Sequence, residues 1–276
     1  MKYKMLLLNG DCLELMKELP DKSIDLFICD LPYGCLTGQN TNKSLMRMEN
    51  GVATGKKALT PDGLLGGCDW DIKIDLDKFW EQVERLMKNE HTPIIQFCNA
   101  KFGYDLIKSK ESWFRYDLVW NKMRGVSFLS ANKMPMKSHE LIYVFAKKGA
   151  KYYRKDIKTD KGAWKLTGKG ADRTARQYNI KQENEGMREG GKEGMRCVLS
   201  VINNGTSQEK GGHPTAKPID LYKFLIERYS KEGDMVLDPT FGSGNSGRAC
   251  AELNRHYIGI EKDERFFEEY KKLNEV

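Results

Sequence analysis

The chain has 276 residues, 39% of them hydrophobic, with a mean hydropathy of −0.63 and a formal net charge of +7. A chain of this size buries the core of one large α/β domain with an insertion, and no stretch approaches the roughly 18 apolar residues that cross a bilayer. Seven cysteines (Cys12, Cys29, Cys35, Cys68, Cys98, Cys197 and Cys250), odd in number and without a Cys-x-x-Cys pair, exclude a disulfide frame and a zinc site.

The apolar stretch Met5 to Leu8 is too short for a signal peptide and acids follow it, so the chain is expected in the cytosol. Met5 to Gly10 predicts a first strand, Cys12 to Leu19 a short helix, and Ser23 to Asp30 a second, buried strand. Asp11, at the end of the first strand, either caps the helix or touches a ligand. From Cys35 to Trp70 the pattern gives way to polar residues with six glycines. A segment of this length directly after a strand tip predicts a lid over a site.

Asp75 to Asn89 then reads as an amphipathic helix, with Leu76, Phe79, Trp80, Val83, Leu86 and Met87 on one face. Pro93 to Cys98 is a strand, Lys101 to Lys110 a helix and Tyr116 to Trp120 a strand. A connecting run from Gly125 to Lys137 leads to the strand His139 to Phe145, which is expected to pair antiparallel with the one before it. Between Lys147 and Arg196 there are fifteen Lys/Arg against seven Asp/Glu, a local +8 that leaves −1 for everything else. Tyr152, Tyr153, Trp164 and Tyr178 are interleaved with these cations, a combination suited to base stacking and phosphate contact. A solvated charged loop is the plain alternative.

His213-Pro214-Thr215-Ala216-Lys217-Pro218 follows, and its two prolines stiffen the chain around Lys217 before the helix Ile219 to Ser230. Asp234 to Asp238 is a strand, Pro239 to Gly244 a glycine-rich turn, and Asn245 to Leu253 a helix. Tyr257 to Ile260 is a strand ending in Glu261, and the helix Asp263 to Asn274 closes the chain.

Two strand tips carry the chemistry. Asp30-Leu31-Pro32-Tyr33 delivers a carboxylate and a flat ring to the carboxyl edge of the sheet, where open α/β sheets bind ligands. The exocyclic amine of adenine or cytosine is a poor nucleophile until oxygen acceptors hold its N–H groups. Asp30 and the Leu31 carbonyl would supply those acceptors, and Tyr33 a face for an unstacked base. The second tip, Asp238 with Gly242-x-Gly244-x-x-Gly247 and then Glu261, has the spacing of a dinucleotide site. A carboxylate before the glycines repels a pyrophosphate, however, and favours a cationic cofactor, S-adenosylmethionine, over NAD.

These residues in this order resemble the DNA amino-methyltransferases of the permuted β group. Asp30-Leu31-Pro32-Tyr33 resembles their D-P-P-Y, with Leu31 in place of the first proline. Asp238-Pro239-Thr240-Phe241-Gly242-Ser243-Gly244 is similar to their D-P-F-x-G-x-G loop, with Thr240 as an added residue. Glu261 is similar to the ribose-binding acid, and Asn9-Gly10-Asp11 to the opening G-D whose acid reaches the adenine. The segment containing His213 and Lys217 resembles the H-P-x-x-K-P that lies against the methionine end of the cofactor. Trp120-x-Lys122 and His139-Glu140 resemble two further landmarks.

The resemblance implies a Rossmann-like, seven-stranded, mostly parallel sheet with helices on both faces and an antiparallel hairpin near one edge. The fold would be circularly permuted, with residues 1–146 as the catalytic half, 147–212 as a basic target-recognition insert and 213–276 as the cofactor half. It implies base flipping and methyl transfer from S-adenosylmethionine to adenine N6 in double-stranded DNA, in a bacterial or phage-encoded enzyme. Asp30, Leu31, Pro32 and Tyr33 would be catalytic. Asp11, His213, Lys217, Asp238, Thr240, Phe241, Gly242, Gly244 and Glu261 would bind the cofactor, and no metal would be needed. N4-cytosine transfer on the same fold, and an inactive DNA-binding scaffold, remain the alternatives. A second copy of the chain and a cognate restriction endonuclease stand as candidate partners.

Overall fold

The structure is a computed structural model and describes residues 4–34, 46–49, 52–57, 72–126, 131–158, 195–205 and 216–274. It forms two compact units, Met1–Lys151 with Val201–Val276, and Tyr152–Ser200. In the first, everything is built around β2 (Leu26–Cys29), whose four residues are all buried. Alternation sends Phe27 and Cys29 to one face of the sheet and Leu26 and Ile28 to the other. A strand covered on both faces reads as a continuous apolar run, as this one does.

β2 pairs in parallel with β11 (Met235–Asp238) on one side and β5 (Ile94–Cys98) on the other. Beyond β11 lie β12 (His256–Glu261) and β1 (Met5–Asn9), both parallel. Beyond β5, β7 (Lys137–Phe145) runs the opposite way and pairs with β6 (Phe114–Val126), which takes β10 (Val201–Asn203) in parallel at the far edge. The order is β1-β12-β11-β2-β5-β7-β6-β10. The sheet therefore has eight strands rather than seven, because β10 is only three residues long and too short to show a period in the sequence.

One face is covered by α1 (Cys12–Leu15), α2 (Leu76–Leu86) and α3 (Ala100–Ser109), the other by α4 (Ile219–Tyr229), α5 (Asn245–Glu252) and α6 (Glu264–Asn274). α2 buries Phe79, Trp80, Val83 and Leu86, each side chain contributing about 1.5–3 kcal/mol. Asp75 and Asn99 accept the backbone N–H of Lys78 and Phe102 and so start α2 and α3, each cap being worth about 1 kcal/mol. The helix expected to run to Leu19 is α-helical only to Leu15 and tightens into a 3-10 turn over Met16–Glu18. Pro20 holds Leu19 extended and ends it.

Within the 35–70 segment the described part is an antiparallel hairpin of β3 (Met46–Glu49) and β4 (Val52–Lys57). Short strands rich in Met, Lys and Gly carry little β propensity, which hid them; the rest of the expected lid lies outside the described residues. In the second unit β8 (Ile157–Lys158) pairs antiparallel with β9 (Met195–Arg196), and Arg154 binds Asp156 at 2.7 Å. Trp164 and Tyr178 lie outside the described residues. Lys147 and Lys148, counted with the basic block, belong to the first unit, where they pair with Glu84 at 2.9 Å and Glu90 at 2.6 Å. Among the described residues no helix is long and apolar enough to cross a membrane.

Candidate active site

The parallel strands β1, β12, β11, β2, β5 and β6 all end at one edge of the sheet, and the reversed β7 begins there. Into this edge opens a cavity of about 860 Å³. Asp30 and Asp238 stand at the tips of neighbouring parallel strands, registered through Leu26 with Val236 and Phe27 with Leu237. The acid and ring of the first tip are thus set beside the glycine loop of the second.

At the first tip, the Tyr33 hydroxyl donates to Asp30 Oδ1 at 2.8 Å, and the Tyr33 ring stacks on Phe102 with centroids 5.2 Å apart. Burial, with Asp30 and Glu140 nearby, pushes the Tyr33 phenol well above its ordinary range, so it remains a donor. Leu31 is 1% exposed and packs into the core beneath α1 to α3. It shares strand parity with Cys29 and Phe27, so a leucine anchors the turn by burial where a proline would stiffen it.

Lys217 is 4% exposed, and its ammonium donates to Asp30 Oδ2. Glu140 Oε2 lies 3.6 Å from the same nitrogen, while Glu140 Oε1 accepts from Lys122 at 2.5 Å. Burial opposes the charge on Lys217, but Asp30 and Glu140 together hold its ammonium above the ordinary lysine value. Burial likewise opposes the Glu140 charge, and Lys217 and Lys122 outweigh it and keep that carboxyl below its ordinary value. Lys122 and Glu140 reach the edge because Trp120 faces Glu140 across the β6–β7 ladder.

At the second tip the turn is shaped from below. Asp238 is 1% exposed and does not line the cavity; it accepts from Thr240 N at 3.1 Å and from Ser246 Oγ at 2.6 Å. Burial pushes its carboxyl up to about 7 despite those donors. It shares parity with Val236, which faces the α4 to α6 side, and through Thr240 N and Ser246 Oγ it braces the loop. Gly244 does not line the cavity either: it takes φ 70 at the start of α5, with the Tyr270 ring where a Cβ would go. Thr240, Phe241 and Gly242 do line it. Glu261 accepts from Gly242 N at 2.9 Å and Asp263 N at 2.8 Å. Burial nonetheless raises its carboxyl above the ordinary value.

Asp11 both caps α1, accepting from Leu13 N at 3.0 Å, and lines the cavity, where Lys262 binds it at 3.0 Å. Of the residues singled out from sequence, Asp11, Asp30, Leu31, Pro32, Tyr33, Lys217, Thr240, Phe241, Gly242 and Glu261 line one cavity. His213 lies outside the described residues. The ion pair of Lys122 and Glu140 in the same cavity does not follow from either landmark alone; the signal for it is that Trp120-x-Lys122 and His139-Glu140 face each other once the strands pair antiparallel. Among the described residues no group of His, Cys, Asp or Glu is arranged to hold a metal.

The Asp30-Leu31-Pro32-Tyr33 turn and the glycine loop beside it thus stand at the carboxyl edge, where open α/β sheets bind ligands. A family model described as DNA methylase matches residues 24–272, and the chain belongs to this family of N6/N4 DNA amino-methyltransferases. It is 28% identical to the Type II methyltransferase M.HinfI of Haemophilus influenzae, over 98% of this chain and 68% of that protein. Its fold is similar to that of the M1.HpyAVI–SAM complex, with TM-score 0.59 and 19% identity over 99% of this chain and 100% of that one. It is also similar to the cytosine-N4-specific PvuII DNA methyltransferase, with TM-score 0.61 and 14% identity over 97% of this chain and 85% of that one.

Proposed function

We propose that this DNA methyltransferase moves a methyl group from S-adenosylmethionine to the exocyclic N6 amine of adenine in duplex DNA. The observation that carries the reading is the shared cavity: the Asp30 carboxylate and the Thr240–Gly242 loop open into one space from adjacent strand tips. The residues fit the cofactor. Both oxygens of Glu261 are pinned by backbone N–H groups yet keep lone pairs for ribose hydroxyls. Thr240 Oγ1 is buried at the cavity wall and among the described residues has no hydrogen-bond partner. Asp11 and Phe266, also at the wall, suit an adenine amine and its ring. When bound, S-adenosylmethionine supplies an electrophilic methyl group on a positively charged sulfur.

Asp30 accepts one N–H of the target amine and the Leu31 carbonyl the other, which favours the tetrahedral nitrogen and exposes its lone pair. As the nitrogen gains a bond and becomes positive, the Asp30 carboxylate stabilises that charge and takes the leaving proton. Tyr33 presents one ring face to Phe102 and offers the other to the flipped base. The basic residues from Lys155 to Arg196, beyond the paired Lys147 and Lys148, grip the phosphate backbone and carry target recognition. Adenine is preferred to cytosine because an acid at the first motif position is typical of the adenine enzymes, whereas the N4-cytosine enzymes more often carry serine there. Incubation with S-adenosylmethionine and unmodified duplex DNA, followed by nucleoside mass spectrometry, should yield N6-methyladenine. N4-methylcytosine would overturn the choice of base, and no methylated base the whole reading.

A further inference from the structure

We infer that Lys217 is a positioning residue that occupies Asp30 until the target amine arrives, and that Glu140 is the acceptor to which its ammonium then moves. The inference rests on the reading above, in which Asp30 binds the amine. Both oxygens of Asp30 already have donors: Tyr33 on Oδ1 and Lys217 on Oδ2. Each oxygen keeps a further lone pair, but the ammonium on Oδ2 draws off the charge that an incoming N–H would bind, so the amine bonds that oxygen more strongly once the ammonium withdraws. Tyr33 is fixed by its stacking on Phe102, whereas a lysine end rotates on a four-carbon stem.

Among the described residues, the contacts of Lys217 hold its backbone and leave its side-chain end to rotate. Its backbone carbonyl accepts from Asn245 Nδ2 at 2.8 Å, and Pro218, the N-cap of α4, follows immediately. Its ammonium has the Phe97 ring centroid at 5.2 Å, a cation-binding face that serves either position. Glu140 Oε2, 3.6 Å away, is buried and among the described residues has no hydrogen-bond partner. A buried carboxylate oxygen without a donor, within one small rotation of a buried ammonium, is a second seat for that ammonium. Between turnovers the arrangement keeps a cation beside Asp30, a partly buried carboxylate at the cavity wall. During turnover the transfer of one hydrogen bond to Glu140 frees Asp30 Oδ2 while Lys122 holds the other Glu140 oxygen in place.

The test uses the full chain, S-adenosylmethionine and unmodified duplex DNA. Glu140→Gln removes the charge that attracts Lys217 away, so kcat should fall about tenfold or more, the equivalent of one hydrogen bond to a charged group. The KM for DNA and the calorimetric Kd for S-adenosylmethionine should stay within about threefold. Adding Lys217→Met to Glu140→Gln removes the ammonium that locks Asp30, and the double variant should regain most of the lost kcat. If Glu140→Gln does not fold by circular dichroism, Glu140→Asp, which withdraws the acceptor by one carbon, takes its place in the same cycle. A static ion network predicts the reverse order, so a double variant no faster than Glu140→Gln overturns the inference while leaving the methylation reading intact. A loss expressed in KM or in cofactor affinity instead of kcat also overturns it, and a wild type that methylates nothing removes the reading beneath it.

Discussion

Replacing Gly244 by alanine puts a methyl group where the backbone has φ 70 and where the Tyr270 ring already lies. The left-handed conformation costs a residue with a Cβ roughly 1–2 kcal/mol. Overpacking adds about 1–3 kcal/mol when the neighbour cannot retreat. Tyr270 is 1% exposed, and the Phe241 ring stands 5.3 Å from it. The combined loss is therefore about 2–5 kcal/mol, a large share of an ordinary domain's stability. Urea unfolding followed by circular dichroism would read it as a lower midpoint at unchanged slope. In a double-mutant cycle with Tyr270→Ala the two losses should fall short of additive by about 1–3 kcal/mol, since the smaller residue removes the clash. A loss below about 1 kcal/mol, or strict additivity, would refute the steric account.

Asp30→Ala should lower methyl transfer by about 10³-fold or more while calorimetric binding of S-adenosylmethionine stays within about threefold; full activity would strip Asp30 of its role. Asp238 titrates in the folded chain at about 7, above its ordinary value of 3.8, so its protonated form stabilises the fold below about pH 4 and that contribution is lost as pH rises towards 7. The unfolding free energy of Asp238→Asn relative to wild type should then climb between those values by at most about 1.4 kcal/mol per pH unit and level off above 7; a flat difference in urea titrations at pH 5, 6, 7 and 8 would rule this out. Replacing five of the lysines and arginines between Lys155 and Arg196 by glutamine should weaken duplex DNA binding and reduce the salt slope by about 0.9 for each phosphate no longer neutralised. An unchanged slope would make the segment a solvated loop.

Buried strands were legible because β2 and β5, covered on both faces, have to be continuously apolar, and the two strand-tip motifs announced which edge binds ligand. The direction in which a strand-tip acid points was harder to read. The glycine motif places Asp238 at the strand tip, but only the alternation from Val236 shows that its side chain is buried and bonded within the turn. Lys122 and Glu140 are eighteen residues apart in sequence, and only the antiparallel ladder makes them neighbours. β10 and the β3–β4 hairpin escaped because their strands are too short or too rich in Gly and Lys for a period to show.

The reversal of β7 has a consequence for engineering. Because this strand begins at the ligand edge, Glu140 is fastened by its pairing with Trp120 of β6 and by the pairing of the strand with β5 from Leu141 on. Chain grafted between Val126 and Lys137 would therefore remodel the rim of the cavity and its reach towards a bound duplex, with the reactive cluster behind it left in register.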